Sequence, residues 1–222
     1  MYGNAGFHPM NDFIHIVMIG SFANAFLVSA NHPAKSLQEF IAMAKARPGK
    51  MSFGSAGPGS AGHLTGERLK QAAGIDMQHV PYKGTGPAIT DLLSGQPDAV
   101  FDGLPASTPY VEVGQVPRAC DLLAAAGACG AECADDDRDR ARRAGPGLVR
   151  RVGAGEDAAR HRGAPAGSGT EKIIATPELQ ARFAEVGMSL SGRGRADYTD
   201  YIAQDIRCWA PVVEAAGLKP AR

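Results

Sequence analysis

The chain predicts an α/β protein built on a mainly parallel sheet, and three observations carry that reading. Short apolar strands alternate with segments of helical periodicity between residues 26 and 110. Pro48-Gly49, Gly74 and Gly95 stop those helices in turn. Glycine-rich loops then join each strand end to the next helix start. The 222 residues are 44% apolar and 21% charged, enough for one large or two small cored domains. Lys+Arg and Asp+Glu both number 23, so the net charge is zero. That balance argues against nucleic acid or an acidic membrane as partner, since both select a basic surface.

The elements follow in order. Residues 13–30 carry no formal charge, but His15, Ser21 and Asn24 interrupt them and Asp12 precedes them. The run is short for a membrane span and lacks the positive flank of an export signal. It predicts two buried strands, 14–19 and 26–29, with a turn at Gly20-Ser21. Ser36-Leu-Gln-Glu39 is a capping box, and Leu37, Phe40, Ile41 and Ala44 follow at helical spacing. A strand over 50–54 leads into FGSAGPGSAGHL (53–64). Ser60 then caps a helix whose apolar face is Ala61, Leu64, Leu69 and Ala72. A strand over 77–80 leads to PYKGTG (81–86), and Thr85 caps a helix burying Ala88, Ile89, Leu92 and Leu93. A strand over 98–102 and a short helix through Tyr110 complete the alternation. Near the C-terminus Thr176-Pro177 opens a helix. The last helix places Ile202, Ile206, Trp209 and Val213 on one stripe, with Pro211 bending it.

The alternation stops after Gln115. Between Arg118 and Thr170, Ala, Gly and Arg supply 14, 9 and 9 of 53 residues, and Ile, Phe, Tyr, Trp, Met, Lys, Asn and Gln are absent. Natural linkers favour Ser, Pro, Glu, Lys and Gln; an Ala/Gly/Arg bias with scattered cysteine is what GC-rich coding DNA yields in the wrong frame. Residues 117–170 are therefore expected to be an anomalous, disordered segment, by frameshift or as a linker. The four cysteines form no disulfide framework. Cys129 and Cys133 with Cys120 and His161 lack regular zinc spacing, so no metal is expected.

What the glycine loop holds has two readings. Gly57-Pro-Gly59-Ser-Ala-Gly62 is a literal G-x-G-x-x-G between a strand and a helix, which suggests a dinucleotide-binding, oxidoreductase-like domain. The strand before it is weak, however, and the next strand ends in Pro81-Tyr82-Lys83 where a ribose-binding acid belongs. The second reading is general: backbone amides freed by Gly57 and Gly59, hydroxyls of Ser55 and Ser60, and a helix dipole make a small-anion site. Ser60 and His63 lack an orienting acid, so no catalytic residue and no enzyme activity are expected.

Taken together, the GSAGxGS-x-x-HL loop, HVPYKG, DLLSGQ and the FD strand end resemble the substrate-binding proteins of tripartite tricarboxylate transporters, the Bug-type periplasmic receptors. The resemblance extends upstream through FLVSANHPAKSLQEFIAMAKARPGKM and returns at EKIIATPELQARFAEVGMSL and the Trp209 helix. It implies a type II periplasmic-binding-protein-like fold, with one nearly complete α/β lobe and a C-terminal fragment of the second. On that frame residues 1–25 are a remnant of the first lobe and the hinge entry. Residues 26–116 form the ligand-loop lobe, and 171–222 are the C-terminal helical part of the first lobe. The family pattern also leads us to expect an export signal and a first-lobe region before the point matching Met1, so the chain reads as N-terminally truncated.

The implied ligand is a small carboxylate, with Ser55, Ala56, Gly57, Gly59, Ser60, Tyr82 and Asp102 as the residues that bind it. Asp102 facing an anion requires a donor on the ligand, such as an ammonium group or water. His63 is expected to brace the loop, and Lys83 to be solvated. No cofactor is implied. The implied partners are the membrane components of a tripartite transporter, with no nucleic acid and no membrane insertion. The implied location is periplasmic, or cytoplasmic for a chain expressed without a signal. A degraded, inactive gene product is the remaining alternative.

Overall fold

The computed structural model describes residues 6–22, 24–113, 118–121, 152–153 and 168–218. The chain divides into two compact units, residues 22–145 and residues 1–21 with 146–222.

The first of these holds a five-stranded sheet. Its strands are β3 (Asn24–Leu27), β4 (Met51–Ser55), β5 (Met77–Pro81), β6 (Ala99–Gly103) and β7 (Arg118–Asp121), in the order β5-β4-β6-β3-β7. β4 runs parallel to β5 and to β6, whereas β3 runs antiparallel to β6 and β7. The sheet is thus mixed rather than mainly parallel, because β3 enters it from the opposite direction. Its helices are α1 (Leu37–Ala46), α2 (Ala61–Ala73), α3 (Thr85–Leu93) and α4 (Leu104–Glu112). β7 carries the sheet past the expected lobe end at 116. The rest of the Ala/Gly/Arg-rich stretch, save 152–153 and 168–170, lies outside the described residues.

The two faces of the sheet build separate cores. Phe26, Phe53, Phe101, Met51 and Met77 pack with Leu37, Phe40 and Ala44 of α1 and Leu69 of α2. Leu27 and Val100 pack with Ala88, Ile89 and Leu92 of α3. Alternation along each strand assigns neighbours to opposite faces, as with Phe101 and Val100. Half of the α1 capping box forms as expected, Ser36 Oγ accepting from the Glu39 amide at 3.2 Å, while Glu39 Oε2 accepts from the amide of Lys35, one residue before the cap, at 2.7 Å.

Expectations about two helices need correction here. α3 is capped by Gly84, not by Thr85, which is its first helical residue, and Leu93 is exposed rather than buried. The buried face of α2 is Gly62, His63, Thr65, Gly66, Glu67 and Leu69, while Ala61 and Ala72 are exposed. The cause is close packing. A Cβ on Gly66 would lie 2.2 Å from the Phe53 ring, and one on Gly62 would lie 2.0 Å from the Phe101 carbonyl oxygen. The helix presents its smallest residues to the sheet.

The other unit pairs β1 (Ile14–His15) with β8 (Val152–Gly153), and β2 (Met18–Phe22) with β9 (Met188–Arg193). Around them lie α5 (Ser168–Ile174), α6 (Pro177–Glu185) and α7 (Arg195–Ala215). Gly20-Ser21 is strand, not the expected turn. A Cβ at Gly20 would stand 2.5 Å from the Ser189 carbonyl oxygen, so glycine lets β9 approach. On α7 the buried residues are Tyr198, Ile202 and Val212; of the stripe read from the sequence only Ile202 is buried, Trp209 and Val213 are half-buried and Ile206 is 45% exposed. Cys208 on α7 is disulfide-bonded, which the irregular cysteine spacing gave no reason to expect. No helix among the described residues is long and apolar enough to cross a membrane.

Candidate functional site

The parallel strands β4, β5 and β6 bring Ser55, Pro81 and Gly103 out at one edge of the sheet, and antiparallel β3 begins there with Asn24. Helices α2, α3 and α4 start just beyond that edge. Carboxyl ends of strands followed by helix starts are where open α/β sheets place ligands. Each helix start adds unpaired amides and the positive end of a dipole.

The loop between β4 and α2 is shaped by its glycines. Gly57 and Gly59 have φ of 134° and 77°, which disfavour any side chain. Ser60 caps α2 by accepting from the His63 amide at 3.2 Å, and its carbonyl accepts from the Leu64 amide at 3.1 Å. That leaves the amides of Ala61 and Gly62 as the open first-turn donors. Ala56, Gly59 and Ser60 are partly exposed, so the loop's outer surface is accessible.

Not every expected residue faces outward. Ser55 is fully buried; its Oγ lies 2.8 Å from His79 Nε2, donates to the Gly57 carbonyl at 3.2 Å and accepts from the Gly57 amide at 3.3 Å. Its hydroxyl is therefore a brace rather than a ligand donor. Tyr82, just after β5, braces the same loop: its amide donates to the Ser55 carbonyl at 3.0 Å, and its ring lies against Gly54. Burial and then the neighbouring Asp91 carboxylate, which its hydroxyl hydrogen-bonds, push the Tyr82 pKa up. Lys83 is exposed.

His63 braces the loop as expected, its Nδ1 accepting from the Gly59 amide at 3.0 Å. What the sequence reading missed is His79. Its ring stacks on His63 with centroids 3.7 Å apart and planes 8° from parallel. Burial first, then the charges of His63 and Lys70, hold its pKa down to about 4. Burial also lowers His63, against the opposing pull of Glu67. The available signal was that His79 opens the HVPYKG segment; in the structure it pairs in register with Phe53, on the face that α2 covers.

Asp102 sits at the end of β6, 8% exposed. The Thr85 hydroxyl and the Gly103 amide hydrogen-bond its carboxylate, yet burial dominates and raises its pKa. Among the described residues its Oδ2 has no hydrogen-bond partner. Asn24 donates to Thr65 Oγ1 at 2.8 Å and leaves its own Oδ1 without one. A buried acceptor left open at a ligand edge is a place for a donor. Among the described residues no group of three or more His, Cys, Asp or Glu is placed to hold a metal.

An α/β unit with its glycine loop and helix starts gathered at one sheet edge is the arrangement with which open α/β sheets bind ligands. The profile of the tripartite tricarboxylate transporter family receptor, TctC, matches residues 1–125, and the chain belongs to that family. A protein of the gbd 5′ region of Cupriavidus necator is 40% identical over 108 residues, 49% of this chain and 33% of its own length. Protein BugT of Bordetella pertussis is 32% identical over 114 residues, 51% of this chain and 35% of its own. The matched part is thus about a third of each of these relatives. Among solved structures, R. palustris Rpa4515 with adipate superposes with a TM-score of 0.78 at 25% identity, covering 100% of this chain and 74% of that one. The periplasmic binding protein BugD has the same fold, with a TM-score of 0.71 at 21% identity over 100% of this chain and 75% of its own.

Proposed function

We propose that this chain is a solute-binding receptor acting outside the cytoplasm, which captures a small carboxylate and presents it to the membrane components of a tripartite transporter. The observation that carries the reading is the convergence of three helix starts and the 55–60 loop on one sheet edge. A carboxylate there accepts from the Ala61 and Gly62 amides and the Ser60 hydroxyl, while Ala56, Gly57 and Gly59 let it approach the backbone. Ser55 and Tyr82 hold the loop's shape from behind. Asp102 Oδ2 accepts from a hydroxyl, ammonium or water carried by the ligand. The adipate in the Rpa4515 structure supports a dicarboxylate as the first ligand to try. The role is binding, with no bond made or broken.

Isothermal calorimetry with adipate, malate and citrate, and with NAD beside them, tests this. Binding of at least one carboxylate and none of NAD is the expected result. Micromolar NAD affinity would favour the dinucleotide reading of Gly57-x-Gly59-x-x-Gly62. No carboxylate binding up to millimolar concentration would remove the receptor reading.

A further inference from the structure

We propose that His63 and His79 are positioning residues for this loop: stacked on each other, each holds it through one ring nitrogen, and it keeps its shape only while both rings are neutral. The proposal rests on the carboxylate reading above for its functional consequence.

The geometry divides the work between the two rings. His79 Nε2, at 2.8 Å from Ser55 Oγ, anchors the hydroxyl that in turn meets both the amide and the carbonyl of Gly57. His63 Nδ1 accepts from the Gly59 amide, and so that nitrogen carries no proton and the proton sits on Nε2. The two anchors therefore fix the two positive-φ glycines that shape the loop. Protonating His63 at Nδ1 removes the Gly59 acceptor outright. Protonating His79 leaves its Nε2–H on Ser55 but puts a charge beside the Phe53 and His63 rings, where burial disfavours it. The groups facing the pair are Glu67 and Lys70 from α2 and Ser55 and Phe53 from β4. Lys70 donates to Glu67 Oε1 at 3.0 Å, which leaves that carboxylate, 4.0 Å from His63 Nε2, already engaged by a cation. Of this set only Glu67 favours a positive charge in the stack, and Lys70 already offsets it.

The test uses the whole chain, with His79→Phe, His63→Phe and His79→Gln. Both phenylalanines keep a ring for stacking and lose the anchoring nitrogen; glutamine restores a polar group at position 79. Adipate affinity at neutral pH is expected to fall about tenfold in each phenylalanine variant, the loss of one anchoring hydrogen bond, and to recover in His79→Gln. In wild type, affinity should fall further on acidification than in His79→Gln. Adipate's own protonation is common to both and cancels in the comparison. Amide exchange at Gly57 and Gly59 in ligand-free protein is read alongside, with circular dichroism to confirm folding. Faster exchange at Gly59 in His63→Phe and at Gly57 in His79→Phe supports the proposal, even where no carboxylate binds and the receptor reading fails. Unchanged exchange at both glycines in folded variants overturns it, as does wild-type adipate affinity in both phenylalanine variants.

Discussion

Gly62→Ala tests whether the contact of α2 with β6 sets the site. The new Cβ would lie 2.0 Å from the Phe101 carbonyl oxygen and 2.9 Å from its carbon. Both are backbone atoms of a central strand, so no side-chain rotation relieves the clash, and an ordinary contact begins at 3.4 Å. Either α2 moves outward by more than 1 Å at its first turn or the end of β6 bends. Alanine's better helix propensity contributes about 1 kcal/mol in favour, while overpacking costs about 1–3 kcal/mol. The backbone origin of the clash places the cost at the upper end, and we expect a net loss of about 1–2 kcal/mol. Thermal unfolding followed by circular dichroism should show Tm lower by roughly 2–8 °C. Carboxylate affinity should fall by more than stability alone explains, because the open amides of Ala61 and Gly62 move with the helix. Gly86→Ala is the stability control: nothing lies within 4 Å of its added Cβ, and stability should rise by up to about 1 kcal/mol. A Gly62→Ala protein as stable as wild type, with unchanged adipate affinity, would refute the claim that this contact places the helix start.

Three further outcomes are expected. His79 has its folded pKa lowered from 6.5 to about 4, so the unfolded chain binds the proton more tightly. Stability is therefore full above pH 6.5 and falls as pH drops toward 4. The full shift would be worth about 3 kcal/mol, and because the ring keeps some solvent contact about 1–2 kcal/mol is expected in urea titrations; stability level from pH 7 to pH 4 in the difference between wild type and His79→Gln would contradict it. Asp102→Asn removes a buried carboxylate whose Oδ2 is unpartnered, so at pH 7 stability should hold or rise by roughly 1 kcal/mol while affinity for a hydroxy- or amino-carboxylate falls; a large loss of stability would show the charge to be structurally paired. Leu92→Ala opens a cavity at a fully buried position between α3 and the sheet, and chemical denaturation should report a loss of about 2–5 kcal/mol.

Local order was legible in the sequence wherever a short-range rule acts alone. Ser36 and Ser60 both cap as their spacing requires, Thr176-Pro177 opens α6, and the strands β4, β5 and β6 lie within a residue or two of their expected bounds. These depend on contacts among residues three or four apart, or on period-two burial. The sequence also placed the glycine loop at a strand-to-helix junction, and its motifs pointed to the family that the receptor profile matches. Tertiary structure alone decided which of the loop's groups stay exposed and which are spent holding the loop. Ser55 looks like a donor in the sequence, and becomes a brace only because β5 places His79 Nε2 beside its hydroxyl. The α2 face inverts for the same kind of reason: its glycines are buried because Phe53 and the Phe101 carbonyl come within reach from strands remote in sequence. Gly20-Ser21 resembles a turn until β9, from the far end of the chain, pairs with it. A residue's partners along the chain are set by covalent spacing, but its partners across the fold are set by how strands register and how closely helices can approach, and those distances exist only once the sheet has formed.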